Sequence, residues 1–196
     1  MKLTQIRNAT IRMIYAGNVF LIDPWLAPKH QLSFVDIPGR PFHVPDPVKE
    51  NIPMPFYGLP MDTEQILSGI DYYIVTHLHP DHIDIAKDGT VGGPLNKQTP
   101  VICQSTEDAK ILQYSGFSEV IALNCCAAET VENGRLIMGD EDVQCVAMAA
   151  PQAKLYLTHL DNVSHASLTR HTLRGRLAER GVMNYDMPAD GQSIEY

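Results

Sequence analysis

The run His77-Leu78-His79-Pro80-Asp81-His82 places three imidazoles and a carboxylate within six residues, directly after the apolar stretch Tyr72-Tyr73-Ile74-Val75. A buried strand is expected to end there, so four ligand-bearing side chains share one short turn and converge on a small volume. Neutral imidazole nitrogen and carboxylate oxygen are the donors that suit zinc and its neighbours. With 8 His in the whole chain, the pattern H-x-H-x-D-H arises by chance in roughly one such chain in a thousand. The run is therefore read as a metal site.

The rest of the chain supplies a frame for that turn. Leu3 to Arg7, Ile11 to Tyr15 and Val19 to Asp23 read as three short strands separated by Asn8-Ala9-Thr10 and Gly17-Asn18, an antiparallel meander. From Pro24 to Pro60 proline recurs so often that regular structure is not expected, because each ring fixes φ and removes a donor. Helix and strand then alternate. Asp62 to Ser68 is helical with Asp62 as cap, Asp71 to Val75 a buried strand, and Val101 to Gln104 another. Ser105 to Tyr114 is helical with Ser105 as N-cap and Gly116 past the end; Val120 to Leu123 and Arg135 to Met138 are extended. Glu141 to Ala150 is a helix, Leu155 to Thr158 a strand ending at His159, and Leu168 to Arg180 a last helix closed by Gly181. Strands in front and helix-strand alternation behind imply an α/β (α+β) fold in which two sheet layers are covered by helices, with ligands on the loops. At 196 residues and 44% hydrophobic content, one domain with one core is the expectation.

Several segments together resemble the metallo-β-lactamase fold hydrolases, most closely the branch containing the ascorbate-6-phosphate lactonase-like proteins. They are Val19-Phe20-Leu21-Ile22-Asp23-Pro24-Trp25-Leu26, Ile70 to Thr76 with the histidine run, Ile83-Asp84, Pro100 to Gln104, Gly116-Phe117, Leu157-Thr158-His159-Leu160, Asn162 to His165, and Pro188-Ala189-Asp190-Gly191. The resemblance implies an αββα sandwich. It also implies that His77 and His79 belong to one metal position and Asp81, His82 and His159 to a second. One or two zinc ions are expected, with manganese or iron also suited to all-nitrogen-and-oxygen ligation. A bound water turned to hydroxide near neutral pH would attack an ester, lactone or phosphoester. Asp81 could instead shuttle the proton if one ion binds.

Other residues take outer roles, each with a plain alternative. Asp23 and Asp84 are expected to accept the second N–H of ligating imidazoles; capping of turns is the alternative. His165 is a substrate or outer-shell candidate, set against a solvated loop residue, and His171 belongs to the outer face of a basic helix. Members of the family carry a further His after a middle strand and a bridging Asp after a later one, and the resemblance implies that this chain is abridged between Val120 and Gly134, where they would fall. A rival alignment makes Asp140, at the end of Arg135-Leu136-Ile137-Met138-Gly139-Asp140, the bridging Asp; its alternative is a helix cap. Hence the second reading of the chain as a non-catalytic or degenerate metal-binding member, one that could complete its sheet by pairing with a second copy.

A formal net charge of -8 and a pI near 5.4 argue against a broad grip on nucleic acid or anionic membrane, which needs clustered Lys and Arg. A small-molecule substrate is the expected partner. No apolar run approaches the roughly 20 residues of a membrane span, and the first residues do not form a signal-peptide core, so residence in the cytoplasm is expected. The four cysteines at 103, 125, 126 and 145 are expected to be reduced, buried thiols. The aromatics Phe34, Phe42, Phe56 and Tyr57, with His43, could make the proline-rich segment an apolar lid or a passive cover.

Overall fold

Seven strands pair in the order β6-β5-β4-β3-β2-β1-β9 in the computed structural model. The structure describes residues 1–33, 44, 46–123, 138–163, 166 and 168–196. Strands β1 (Lys2–Arg7), β2 (Thr10–Tyr15) and β3 (Asn18–Ile22) form the expected antiparallel meander, and β9 (Ser193–Glu195) adds antiparallel to β1. β4 (Tyr72–Val75), β5 (Val101–Cys103) and β6 (Val120–Ala122) continue the sheet in parallel from β3. Parallel neighbours need a crossover. Helix α3 (Thr106–Tyr114) supplies the one between β5 and β6, and α2 (Thr63–Leu67) precedes β4.

Local chemistry explains the boundaries. Ser105 accepts from the Asp108 amide at the start of α3, and Gln65 Oε1 accepts from the Asp62 amide at the start of α2, each satisfying a donor the helix leaves open. Gly116 takes φ +93 after α3 and Gly181 takes φ +72 after α5 (Arg170–Glu179), a conformation side chains resist. Tyr73, Val75, Val101 and Cys103 point from the parallel strands into a core shared with Leu112 and Phe117. The Tyr73 and Phe117 rings meet edge to face at 6.4 Å.

The chain divides into two compact units: Met1–Pro28, Gly58–Ala127 and Ala189–Tyr196 in one, and Lys29–Tyr57 with Ala128–Pro188 in the other. The first holds the seven-stranded sheet. The second holds α1 (Pro47–Glu50), α4 (Asp140–Ala149), α5, and a parallel pair of two-residue strands, β7 (Leu155–Tyr156) and β8 (Tyr185–Asp186). Its core gathers Val143, Leu160, Leu173, Leu177, Val182 and Met187. Each unit is assembled from separated stretches of chain, so neither is a contiguous domain.

Several expectations are corrected in detail. Among the described residues of the proline-rich segment there is one short helix, α1, which starts at Pro47 and is capped by the Asp46 carboxylate; proline fits a first turn because its missing N–H has no partner there anyway. β8 and β9 were not foreseen, being too short to show a period. β7 ends at Tyr156, three residues before His159, although Leu157 N still donates to Asp186 O. Cys103 is a buried thiol, as expected, but Cys145 is exposed on α4. The proposed strand over 135–138 lies largely outside the described residues, as do Cys125, Cys126, Phe34, Phe42, His43 and His165. Among the described residues no helix is long and apolar enough to cross a membrane.

Candidate metal centre

β4 delivers the histidine turn. Its alternating buried residues Tyr73 and Val75 lock the strand into the core, so the chain leaves the sheet at Thr76 with a fixed direction. The turn then closes on itself: His82 N and Ile83 N both donate to His79 O, at 3.0 and 3.2 Å. This brings the three imidazoles together. Ring centroids lie 3.9 Å apart for His77 and His82, 4.4 Å for His77 and His79, and 6.5 Å for His79 and His82.

Asp23 is the anchor. It follows β3 with φ +44, a left-handed backbone that an Asp tolerates better than most residues, and is held there by Asp23 N donating to Ile74 O at 2.8 Å. Its carboxylate accepts from Thr76 N at 2.8 Å, from Thr76 Oγ1 at 2.8 and 3.0 Å, and from His82 Nδ1 at 2.9 Å. A carboxylate on Nδ1 requires the proton there, which leaves the His82 Nε2 lone pair for a ligand. Thr76 extends the same logic. Its one hydroxyl proton goes to Asp23, so its oxygen accepts from His77 Nδ1 at 3.1 Å, and His77 also presents Nε2.

The electrostatics agree. Burial, with the neighbouring His82 and His79 adding to it, holds the His77 pKa down to about 4, which keeps this ring neutral and able to coordinate. For His82 burial acts in the same direction, but the hydrogen bond to Asp23 and the charges of Asp81 and Asp23 outweigh it, and its pKa is raised. Asp81 is almost wholly buried, and its carboxylate lies 3.9 Å from His82 Nε2. Two ligands at about 2.1 Å from one ion can stand up to about 4.2 Å apart, so a single divalent cation could touch both. The donor set fits a metal: three clustered imidazoles, His82 oriented by Asp23 and His77 by Thr76, beside one buried carboxylate.

The remaining candidates are placed as follows. Asp84 does not hold an imidazole among the described residues. Its carboxylate accepts from Leu26 N at 3.0 Å, and burial pushes its pKa up against the pull of that bond and of Arg7; it ties the loop after β3 to the segment after the turn. Asp140 opens α4 as its first residue, with Gly139 as N-cap, and its carboxylate engages Arg180 Nε at 2.5 Å and Arg176 Nη1 at 3.2 Å. The capping alternative is thus displaced by an ion-pair role. In the second unit His159 is half-buried with φ +64, followed by Asp161 at φ +68. Arg170 grips this loop, its amide and Nη1 both donating to the Asp161 carboxylate at 2.9 and 2.7 Å. Thr76 is the residue that sequence reading passed over. A hydroxyl directly between a buried strand and the first histidine was the available signal.

No protein-family model matches the chain. Among curated proteins it is similar to the UPF0173 protein YddR of Bacillus subtilis (strain 168), 29% identical over 268 residues and covering all of both chains. Among solved structures it resembles a possible metal-dependent hydrolase from Veillonella parvula DSM 2008, with TM-score 0.79, 19% identity, and 99% and 98% of the two chains covered. It also resembles the isothiocyanate hydrolase from Delia radicum gut bacteria, with TM-score 0.81, 23% identity, and 100% and 99% covered. The fold is that of the metallo-hydrolases. The α/β, metallo-β-lactamase-like reading of the sequence is therefore correct at the level of fold.

Proposed function

We propose that the chain is a metal-dependent hydrolase whose ion or ions are held by His77, His79, Asp81 and His82, with His159 as a further ligand. The observation that carries this reading is the arrangement around His82: its Nδ1 is committed to Asp23 while Asp81 stands 3.9 Å from its Nε2. A bound divalent cation would supply Lewis acidity and a water made nucleophilic near neutral pH. The protein's part is to aim the imidazoles, through Asp23 and Thr76, and, where one ion binds, to move a proton at the Asp81 carboxylate. With one ion bound and Asp81 outside its ligands, the water proton would pass to Asp81 as the water oxygen bonds to the electrophilic carbon or phosphorus, and then to the departing oxygen or, for an isothiocyanate, to the nitrogen. Zinc fits the donor set best, with manganese and iron as alternatives. Ester, lactone and phosphoester substrates suit this chemistry. The name of the solved relative at 23% identity adds isothiocyanates, whose central carbon is also open to attack by water.

A second reading, a metal-binding protein without turnover, is favoured by one observation. The alignment to the curated relative runs over 268 positions, more than the 196 residues of this chain, as it would if residues of the relative have no counterpart here.

Elemental analysis of protein purified without chelators or a metal-binding tag separates these readings. One or two ions per chain, falling in His79→Ala and His159→Ala, together with chelator-sensitive hydrolysis of a panel of the four substrate classes, is the expected result. Bound metal with no turnover of any class would support the second reading. Absence of metal, with no rescue by zinc or manganese, would overturn both.

A further inference from the structure

The β1–β2 turn and the first residue of β2, Asn8 to Thr10, lie far from the histidine run in sequence yet reach both Asp81 and Asp23. Asn8 is fully buried and takes φ +50, and its Nδ2 donates to the Asp81 carbonyl at 2.9 Å. Thr10, also fully buried, donates its hydroxyl to the Asp23 carbonyl at 2.5 Å and accepts from Trp25 N at 3.2 Å. The turn is itself fixed from behind. Gln5 Nε2 donates to Asn8 O at 2.7 Å, and Gly191 N donates to Gln5 O at 2.6 Å.

These bonds have a common geometry. Asp81 and His82 lie on one loop, and Asp23, which sets the His82 tautomer, lies on another. A 2.9 Å bond between Asp23 and His82 survives only if the two loops keep their spacing. Buried side chains that bond to backbone carbonyls do this well, because an unmade bond would leave a buried carbonyl without its donor. Asn also suits the left-handed turn, where most side chains are strained.

We propose that Asn8 and Thr10 are positioning residues: by tying the Asp81 and Asp23 carbonyls to one β-turn, they hold the His82–Asp23 pair in register and aim His82 Nε2. Both of these bonds go to backbone carbonyls. The proposal rests on the reading of His77 to His82 as a metal centre, and its test is chosen to fail separately from that reading.

The variants are Asn8→Gly, which keeps the backbone conformation and deletes the donor, and Thr10→Val, which keeps the shape and deletes the hydroxyl. Thr10→Ser restores the hydroxyl. The first readout needs no metal. In full-length, metal-stripped protein, histidine-side-chain NMR should show His82 as the Nδ1–H tautomer with that proton protected from exchange. Asn8→Gly and Thr10→Val should lose that protection while keeping the circular dichroism of the parent, and Thr10→Ser should keep it. The second readout is zinc affinity by competition with a chromophoric chelator, expected to fall about 10-fold in each deleted variant, as for other residues that orient ligands. Unchanged His82 protection and zinc affinity in folded Asn8→Gly and Thr10→Val would overturn the proposal. Loss of protection in these variants, in a parent that binds no zinc, would uphold the positioning role and overturn the metal reading instead. If either variant fails to fold, Thr10→Ser against Thr10→Ala decides on the same two readouts, equal protection and affinity in both counting against the proposal.

Discussion

Two strand-to-histidine transitions can be compared, one in each unit. In the first, β4 lies between β3 and β5 in a seven-stranded sheet, and the turn after it is held by Asp23 and Thr76. In the second, β7 pairs among the described residues with β8 across two residues, and His159 follows in a loop with two left-handed residues gripped by Arg170. Sheet register fixes the one; a side-chain ion pair and local backbone strain fix the other. Left-handed non-glycine residues cost energy and persist only where surroundings enforce them; Asp23 is one in the first unit, His159 and Asp161 are two in the second. The difference teaches that two histidine-bearing loops of one chain can be built by different means.

The largest effect that bears on this contrast is on stability. Leu112 and Leu177 are both fully buried, but among the described residues the first belongs to a cluster of fourteen buried residues and the second to one of six. Truncating a buried Leu to Ala costs about 2–5 kcal/mol, more where the surroundings cannot collapse into the space. Leu112→Ala is expected near the top of that range and Leu177→Ala near the bottom, in denaturant melts of the two variants. Equal losses would mean that the smaller core is packed as rigidly as the larger, and the comparison would fail.

A smaller effect sharpens the view of the first site. Asp23→Asn keeps the size of the side chain but removes the carboxylate that demands the proton on His82 Nδ1. Zinc affinity should fall about 10- to 100-fold, read by chelator competition. An unchanged value would show that the ring cluster alone fixes His82, and that the Asp23 bond only spans the loops.

How much of this was legible in the sequence follows the same division. The meander, β4 to β6 and the helices α2 to α5 were readable to within one or two residues because each carries its own period and cap, such as Ser105 before α3 and Asp62 before α2. The histidine turn was readable because its ligands are adjacent in sequence. Asp23 was readable only as a candidate, since nothing in Leu21-Ile22-Asp23-Pro24 reveals that its carboxylate meets His82, 59 positions on. Asp84 was readable in two ways, as an imidazole's partner or as a cap, and the carboxylate's bond to the Leu26 amide matches the second. Asn8 and Thr10 gave no signal at all, because an Asn in a tight turn is explained by the turn. Two-residue strands such as β7 and β8 are set by tertiary pairing and leave no periodic trace.

The smallest effect is a pH dependence confined to the second unit. Asp140 is buried at the start of α4, and its hydrogen bonds to Arg180 first and Arg176 after it hold its carboxyl below the ordinary value of 3.8, the burial penalty notwithstanding. A group with a depressed folded-state pKa contributes stability that is complete above its unfolded value and disappears as pH falls through the folded one. Acidification from about pH 5 to below 3.8 should therefore loosen the packing of α4 on α5, as the carboxylate gains a proton and releases the arginines. Asp140→Asn should be less stable than the parent at neutral pH and should lose this part of the acid dependence. Hydrogen exchange of the α4 and α5 amides between pH 5 and 3 is the measurement, compared with the amides of β3 to β5 in the same sample. Protection that fades on α4 and α5 in the parent, but is already reduced and pH-insensitive in Asp140→Asn, is the expected outcome. Parallel pH dependence in the parent and the variant would mean that the Asp140 ion pairs are incidental and that other groups set the acid response of this unit.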